Sequence, residues 1–371
     1  MALVVLLIAH IKLFLWVMFM MGIMNSIIDL GVQNNIEIIV TVIVLLALEV
    51  MEVIIIVTVT VLVLATVLAP VLATALVHVT VKEKKMTTKI RWVIAHEPIG
   101  LFLKVAERFT KEVNEKTGGK FEIEVLSLSD YANKYNGGKK ITKYDLMDMI
   151  NNGTIEMSHI YTTWLGDYNK DMHALDLPFL FKDHDHADRV LEGAVGKQLL
   201  DGVSQNSNIK AMSFTYSGGY RIVPANFAAD TVDAWKGRTV RTSRSPVAVD
   251  VFKLLGAEVK EHVALEEMNE AADRGEIEAG ESTYVRVFPL EHHKSFKFVN
   301  DTAHSLFLTS IIVNKDFFAQ FDEETQKIMA DAAATAARIE RRESVADIPN
   351  ILAECEKENV PVVRMSNEEE S

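Results

Sequence analysis

Two arginines stand where this chain could hold an anion. Arg241 closes the segment WKGRTVR, residues 235–241. A guanidinium is planar and presents parallel N–H donors that match both oxygens of a carboxylate, so an arginine ending a strand suits an organic acid. Arg238 and Arg244 flank it, and the plainer reading is one more surface arginine in a basic stretch. Arg221 follows Gly218, Gly219 and Tyr220, where two glycines allow the backbone to approach a ligand closely. Its alternative is a structural salt bridge. Tyr161, Thr162, Thr163 and Trp164 fall just past an expected strand, and ligands of α/β proteins commonly sit beyond strand C-termini. Packing of the surface is the alternative for Trp164. His96 and Glu97 end the first expected strand and are placed, by position alone, to line the same cleft.

Other polar clusters point away from catalysis. Asp183, His184, Asp185 and His186, with Asp188 beyond, have metal-ligand residue types. They lie between an apolar loop and a helix, where Asp is a natural cap, and no distant partner is identifiable, so no metal is expected. His292 and His293 read as a solvated turn. No nucleophile elbow, phosphate loop, dinucleotide fingerprint or HExxH pattern occurs. No constellation for covalent catalysis is present in these motifs, so neither an enzyme nor a cofactor is expected.

The elements that must position these groups alternate between strand and helix. KIRWVIA, 89–95, is a short β-branched strand; Leu101, Val105, Phe109 and Val113 then share one helical face that stops at Gly118 and Gly119. Residues 121–126 alternate as a second strand, and this β-α-β unit predicts a mainly parallel sheet. Further strands are expected at 155–161, 211–216, 238–242, 257–259 and 306–314. Helices are expected at 144–151, 187–206, 246–255, 264–274 and 323–343. LDLPFLF, 175–181, contains Pro178 and reads as an ordered loop at an edge.

Composition splits the 371 residues unevenly. Residues 1–81 are almost all apolar, with fixed charges only at Lys12, Asp29, Glu37, Glu49 and Glu52. The run from Leu3 to Met24 is long enough to span a bilayer, so 1–85 is expected to be a hydrophobic helical membrane anchor or signal-like segment. Ala73-Thr74-Ala75 has the form of a cleavage site, and a misassigned translation start is a further alternative. The remainder carries most of the net charge of −13, which argues against nucleic acid as a partner. The single cysteine, Cys355, excludes an intrachain disulfide.

Taken in order, the motifs resemble those of the solute-binding proteins of tripartite ATP-independent periplasmic (TRAP) transporters. The matching pieces are TGGKFEIEV, NNGTIEMSH, LDLPFLF, GGYR ending at Arg221, WKGRTVR ending at Arg241, LLGAEV, GEIEAGES at 275–282 and TAHSLFLTSIIVN at 302–314. They spread over 89–365. The resemblance implies a two-lobed periplasmic-binding-protein-like α/β fold with a ligand cleft between lobes. Lobe I would comprise 86–213 plus about 303–330, and lobe II 214–302 plus about 331–371. It implies that Arg241 holds a ligand carboxylate, that Arg221 is a second anion contact, and that the partners are a small organic acid and the membrane subunits of the transporter, outside the cytoplasm. In GEIEAGES the family shows Asp and then Glu-Asn; here Glu278 is followed by Glu281 and Ser282. The resemblance places Glu281 among the ligand contacts, and the missing amide removes a usual contact, leaving Ser282, Thr283, Tyr284 or Arg286 to read a different part of the ligand. The competing expectation is a membrane-tethered sensory domain for a small organic acid.

Overall fold

A computed structural model describes residues 2–29, 41, 87–95, 100–261 and 263–365. The chain divides into two units, 1–84 and 85–371. In the first, Ala2–Asp29 is one helix of 28 residues. No helix among the described residues is long and apolar enough to cross a membrane. The expected span therefore gains no support: His10 and Lys12 break the apolar run, and Asn25, Ser26 and Asp29 end it. The rest of the expected anchor, 30–40 and 42–85, lies outside the described residues.

The second unit is built on two sheets. The first has five strands in the order β2-β1-β3-β10-β4, with β1 at Thr88–Ile94, β2 at Phe121–Ser127, β3 at Met157–Tyr161, β4 at Ile209–Tyr220 and β10 at Leu306–Asn314. β1 runs parallel to β2 and β3, but β10 is antiparallel to both β3 and β4. The expectation of a mainly parallel sheet thus holds for the N-terminal half only, because β10 returns to the sheet from the opposite direction.

Alternation along β1 explains the layering. Ile90, Trp92 and Ile94 face one core with Phe102, Val105, Phe109 and Val113 of the helix Gly100–Thr117. Val93 faces the other, with Leu146 and Ile150 of the helix Lys143–Asn151. A sheet covered on both faces needs apolar residues at successive positions, which is what KIRWVIA supplies. The long helix Glu323–Ala346 closes the first face with Ala332, Ala333, Ala336 and Ala337, small side chains that admit close packing. Asp322 caps it by accepting from the Thr325 N–H at 2.7 Å.

The second sheet has the order β11-β9-β5-β8-β6-β7. Its strands are short: β5 is Val223–Ala225, β6 Thr239–Arg241, β7 Glu258–Val259, β8 Ala279–Gly280, β9 Phe298–Asn300 and β11 Val362–Val363. The helix Pro246–Leu254 packs Phe252 with Val223, Trp235 and Val240. The chain crosses between sheets at 220–223, at 300–306 and again through the C-terminal helices between β10 and β11; the first two crossings are tied by the Arg221 N–H donating to the Ser305 carbonyl at 2.9 Å.

Two further expectations change. The helix expected at 187–206 is two, His184–Leu191 and Ala194–Asn206, broken at Gly193. His292 is not in a solvated turn: it is 1% exposed, with Nε2 3.0 Å from Ser282 Oγ and Nδ1 2.7 Å from Asn269 Oδ1. Its burial among these partners holds its pKa down at about 3.

Candidate functional site

The C-terminal ends of strands from both sheets converge on one cavity of about 700 Å³. Ile94 and Ala95 at the end of β1, Leu128 after β2 and Tyr161 at the end of β3 line it from the first sheet; Arg241, ending β6, lines it from the second. This follows from the parallel pairing of β6 with β8 and of β1 with β2 and β3, which aims their C-terminal ends alike.

Arg241 is partly buried, and its guanidinium is held by backbone alone: Nε donates to the Val263 carbonyl at 3.0 Å and Nη1 to the Glu281 carbonyl at 3.4 Å. Neither partner is a carboxylate, and burial pulls the guanidinium pKa below its usual value. An arginine remains charged even so. It is therefore a fixed positive charge at the cavity wall without an ion-pair partner among the described residues.

Arg221 is placed differently. It is 1% exposed, stacks on the Phe307 ring at 4.0 Å, and lies between Asp176 Oδ1 at 3.6 Å and Glu281 Oε2 at 3.7 Å. Burial pushes the Asp176 carboxyl up against the pull of Arg221. Glu281 is also fully buried, yet Arg221, His304 and Thr242 together hold it well below the usual carboxylate range. His304 Nε2 lies 2.8 Å from Glu281 Oε1. Two carboxylates sharing one guanidinium titrate apart for this reason. Arg221 and Glu281 thus form a buried cluster behind Phe307 and do not line the cavity.

Of the other sequence candidates, Tyr161, Thr163 and Trp164 line the cavity. Tyr161 stacks on Phe307 with centroids 5.0 Å apart, and Thr163 donates to Asp176 Oδ2 at 3.1 Å. Trp164 contacts Tyr144 at 4.5 Å. Thr162 is turned inward to Ser310. Ser282 is bound to His292, and Tyr284 is packed with Ile222, Val287 and Cys355. Thr283 and Arg286 both donate to the Ser217 carbonyl at 2.7 Å. Gly218 makes that approach possible, since a Cβ there would meet Thr283 Oγ1 at 2.4 Å with φ at +97°. None of Ser282, Thr283, Tyr284 and Arg286 lines the cavity. His96 and Glu97 lie outside the described residues. The Asp183 cluster is a cap, Asp183 Oδ1 accepting from the His186 N–H at 2.7 Å.

Sequence reasoning missed the opposite wall. Val263, Leu265 and Phe307 line the cavity and pack with Tyr161 in one apolar cluster that joins the two sheets. Two ion pairs also reach across: Lys143 to Glu266 at 2.5 Å, and Arg244 to Asp167 at 3.2 Å. Arg244 further lies over the rings of Tyr144 and Trp164, at 4.9 and 4.7 Å. The residues on either side are far apart in sequence, and only Arg244 carried a signal, as part of the basic stretch after β6.

Two α/β sheets joined by paired crossings, with a charged and aromatic cavity where their strand ends meet, define a ligand-binding protein of the two-sheet kind. Residues 96–371 match the model of the bacterial extracellular solute-binding protein family 7, and the chain belongs to that family. It is 25% identical over 251 residues to the C4-dicarboxylate-binding protein DctB of Bacillus subtilis, covering 67% of this chain and 68% of that one. In structure it is similar to a TRAP periplasmic solute binding protein of Xanthobacter autotrophicus with bound β-D-galacturonate, with TM-score 0.66, 23% identity, and coverage of 75% of this chain and 89% of that one. A TRAP periplasmic solute binding protein of Desulfovibrio salexigens with bound orotic acid gives TM-score 0.66 at 20% identity, covering 76% and 87%.

Proposed function

We infer that this protein captures a small organic carboxylate outside the cytoplasm and delivers it to the membrane subunits of a TRAP transporter. The observation that carries the reading is Arg241: a charged guanidinium on the cavity wall, oriented by two backbone carbonyls and without a carboxylate in ion-pair contact among the described residues. An incoming carboxylate supplies the missing countercharge in a site with little water, where such a pair is strong. The ligands named for the relatives, a C4-dicarboxylate, β-D-galacturonate and orotic acid, all carry that group. The two sheets act as lobes that close about the crossings at 220–223 and 300–306, with Lys143–Glu266 and Arg244–Asp167 fastening the closed form. Nothing in this cycle requires covalent chemistry.

The test is a thermal-shift screen of organic acids against the protein and its Arg241→Ala variant. A ligand that binds only the folded state raises its melting temperature. At least one acid should stabilise the protein and lose that effect in the variant. Stabilisation that persists without Arg241 would sink the assignment of the anchor.

A further inference from the structure

We propose that the ligand is a monocarboxylate with an apolar, ring-bearing body, not a dicarboxylate or a sugar acid. This rests on the carboxylate reading of the same cavity and narrows it.

The charge inventory of the wall, taken over the described residues, provides for one buried anionic group. Arg241 is the single partly buried cation on the cavity that faces no carboxylate among the described residues. Lys143 and Arg244 are engaged by Glu266 and Asp167. Lys140 is exposed at the entrance, where Glu261 and Glu267 are exposed beside it. Arg221, the other arginine that could have met an anion, is closed off with its own two carboxylates. A second carboxylate on the ligand would displace an existing ion pair or lie near the acidic entrance, and either is unfavourable.

The hydroxyl inventory argues against a polyol. Thr163 donates to Asp176, Thr242 to Glu281 and Thr142 to Asp145, so the three threonine hydroxyls of the cavity already give their proton to carboxylates of the protein itself; Ser243, Tyr144 and Tyr161 are the other hydroxyl residues on its wall. Ser282, at the position where the family carries an amide, is bound to His292 and does not reach the cavity. A sugar acid would thus bury several hydroxyls with few partners, and each unpaired polar group costs about 1–3 kcal/mol.

What the wall does offer is flat apolar surface. Tyr161 and Phe307 form a stacked pair, Trp164 stands beside them, and Val263 and Leu265 complete the facing side. Such a slot fits the face or edge of a ring while Arg241 takes the carboxylate at one end.

Calorimetric titration of the full chain with benzoate, phenylacetate, cyclohexanecarboxylate, succinate and galacturonate separates the possibilities. The expected result is that at least one ring monocarboxylate binds ten-fold or more tightly than succinate and galacturonate. That binding should vanish in Arg241→Ala and weaken about ten-fold in Trp164→Leu, with melting temperatures showing both variants folded. If Trp164→Leu does not fold, Tyr144→Ala at the exposed end of the slot takes its place, with a smaller, roughly three-fold loss. Tighter, Arg241-dependent binding of succinate or galacturonate overturns this inference and leaves carboxylate capture intact. Absence of binding by every acid, or binding that survives Arg241→Ala, overturns both.

Discussion

Replacing Glu340 by glutamine tests whether the long helix Glu323–Ala346 carries a neutral carboxyl into the core. Glu340 is fully buried, and its Oε2 accepts from the Tyr216 N–H at 2.7 Å, joining the helix to β4. Burial pushes its pKa up to about 8, even though the N–H and nearby Arg341 pull the other way. In the unfolded chain the same carboxyl titrates near its ordinary value of 4.5. The native state therefore holds a proton that the unfolded state has released over the range between these values. The stabilisation is complete below 4.5 and is lost as pH rises through 8. Integrated over the interval from about pH 5.5 to pH 7.5, this one group removes roughly 2–3 kcal/mol of stability as pH rises, with structural relaxation reducing the figure. Glutamine has the shape of the protonated acid and does not titrate, so the variant should gain on the parent by that amount over the same interval. Urea unfolding of both proteins at the two pH values measures it, and the difference between the differences cancels contributions from His159 and His292. A gap between parent and variant that does not change with pH would refute the neutral carboxyl.

Other consequences are open to direct measurement. Arg221→Met removes the charge between Asp176 and Glu281, leaving Asp176 with no ion-pair partner among the described residues and Glu281 with His304 alone, so denaturant unfolding should show a loss of about 3–5 kcal/mol. Changing Asp176 to Asn in the same background should recover part of it. Lys143→Gln and Arg244→Gln loosen the pairs that reach across the cavity. Both pairs are partly exposed, so stability should change by less than about 1 kcal/mol, while ligand release in stopped-flow displacement should quicken several-fold. Unchanged release rates would show that the pairs do not fasten the closed form.

Long elements were legible because their patterns repeat. β10 occupies Leu306–Asn314, where apolar residues flank Thr309 and Ser310 and every residue is buried. The helix Gly100–Thr117 ends where Gly118 and Gly119 take positive φ. The second sheet was harder: β6 and β7 fall within the strands expected at 238–242 and 257–259, but β5, β8, β9 and β11 have two or three residues each, too few for a period to register. β4 was underread for another reason. Ser217, Gly218 and Gly219 look like a turn, yet the strand continues through them because the glycines let Thr283 and Arg286 dock on the Ser217 carbonyl.

The cavity divides along the same line. Arg241 could be singled out by residue type and by its place at a strand end, since both are local properties. The partners of Arg221 could not: Asp176 and Glu281 lie 45 residues before it and 60 after it, and nothing local pairs them. Glu281 is expected at the ligand, but the physical demand of a buried guanidinium decides its place, because Glu281 is the carboxylate held ionised beside Arg221 and supplies its countercharge in the core. That same closure determines what the cavity lacks. With Arg221 enclosed behind Phe307 and Ser282 bound to His292, the polar groups best placed to read the far end of an acid are turned inward. On the proposed reading, selectivity then falls to the rings of Tyr161, Trp164 and Phe307, because Arg241, the one partly buried cation on the cavity that faces no carboxylate among the described residues, leaves discrimination to the shape of what it brings in.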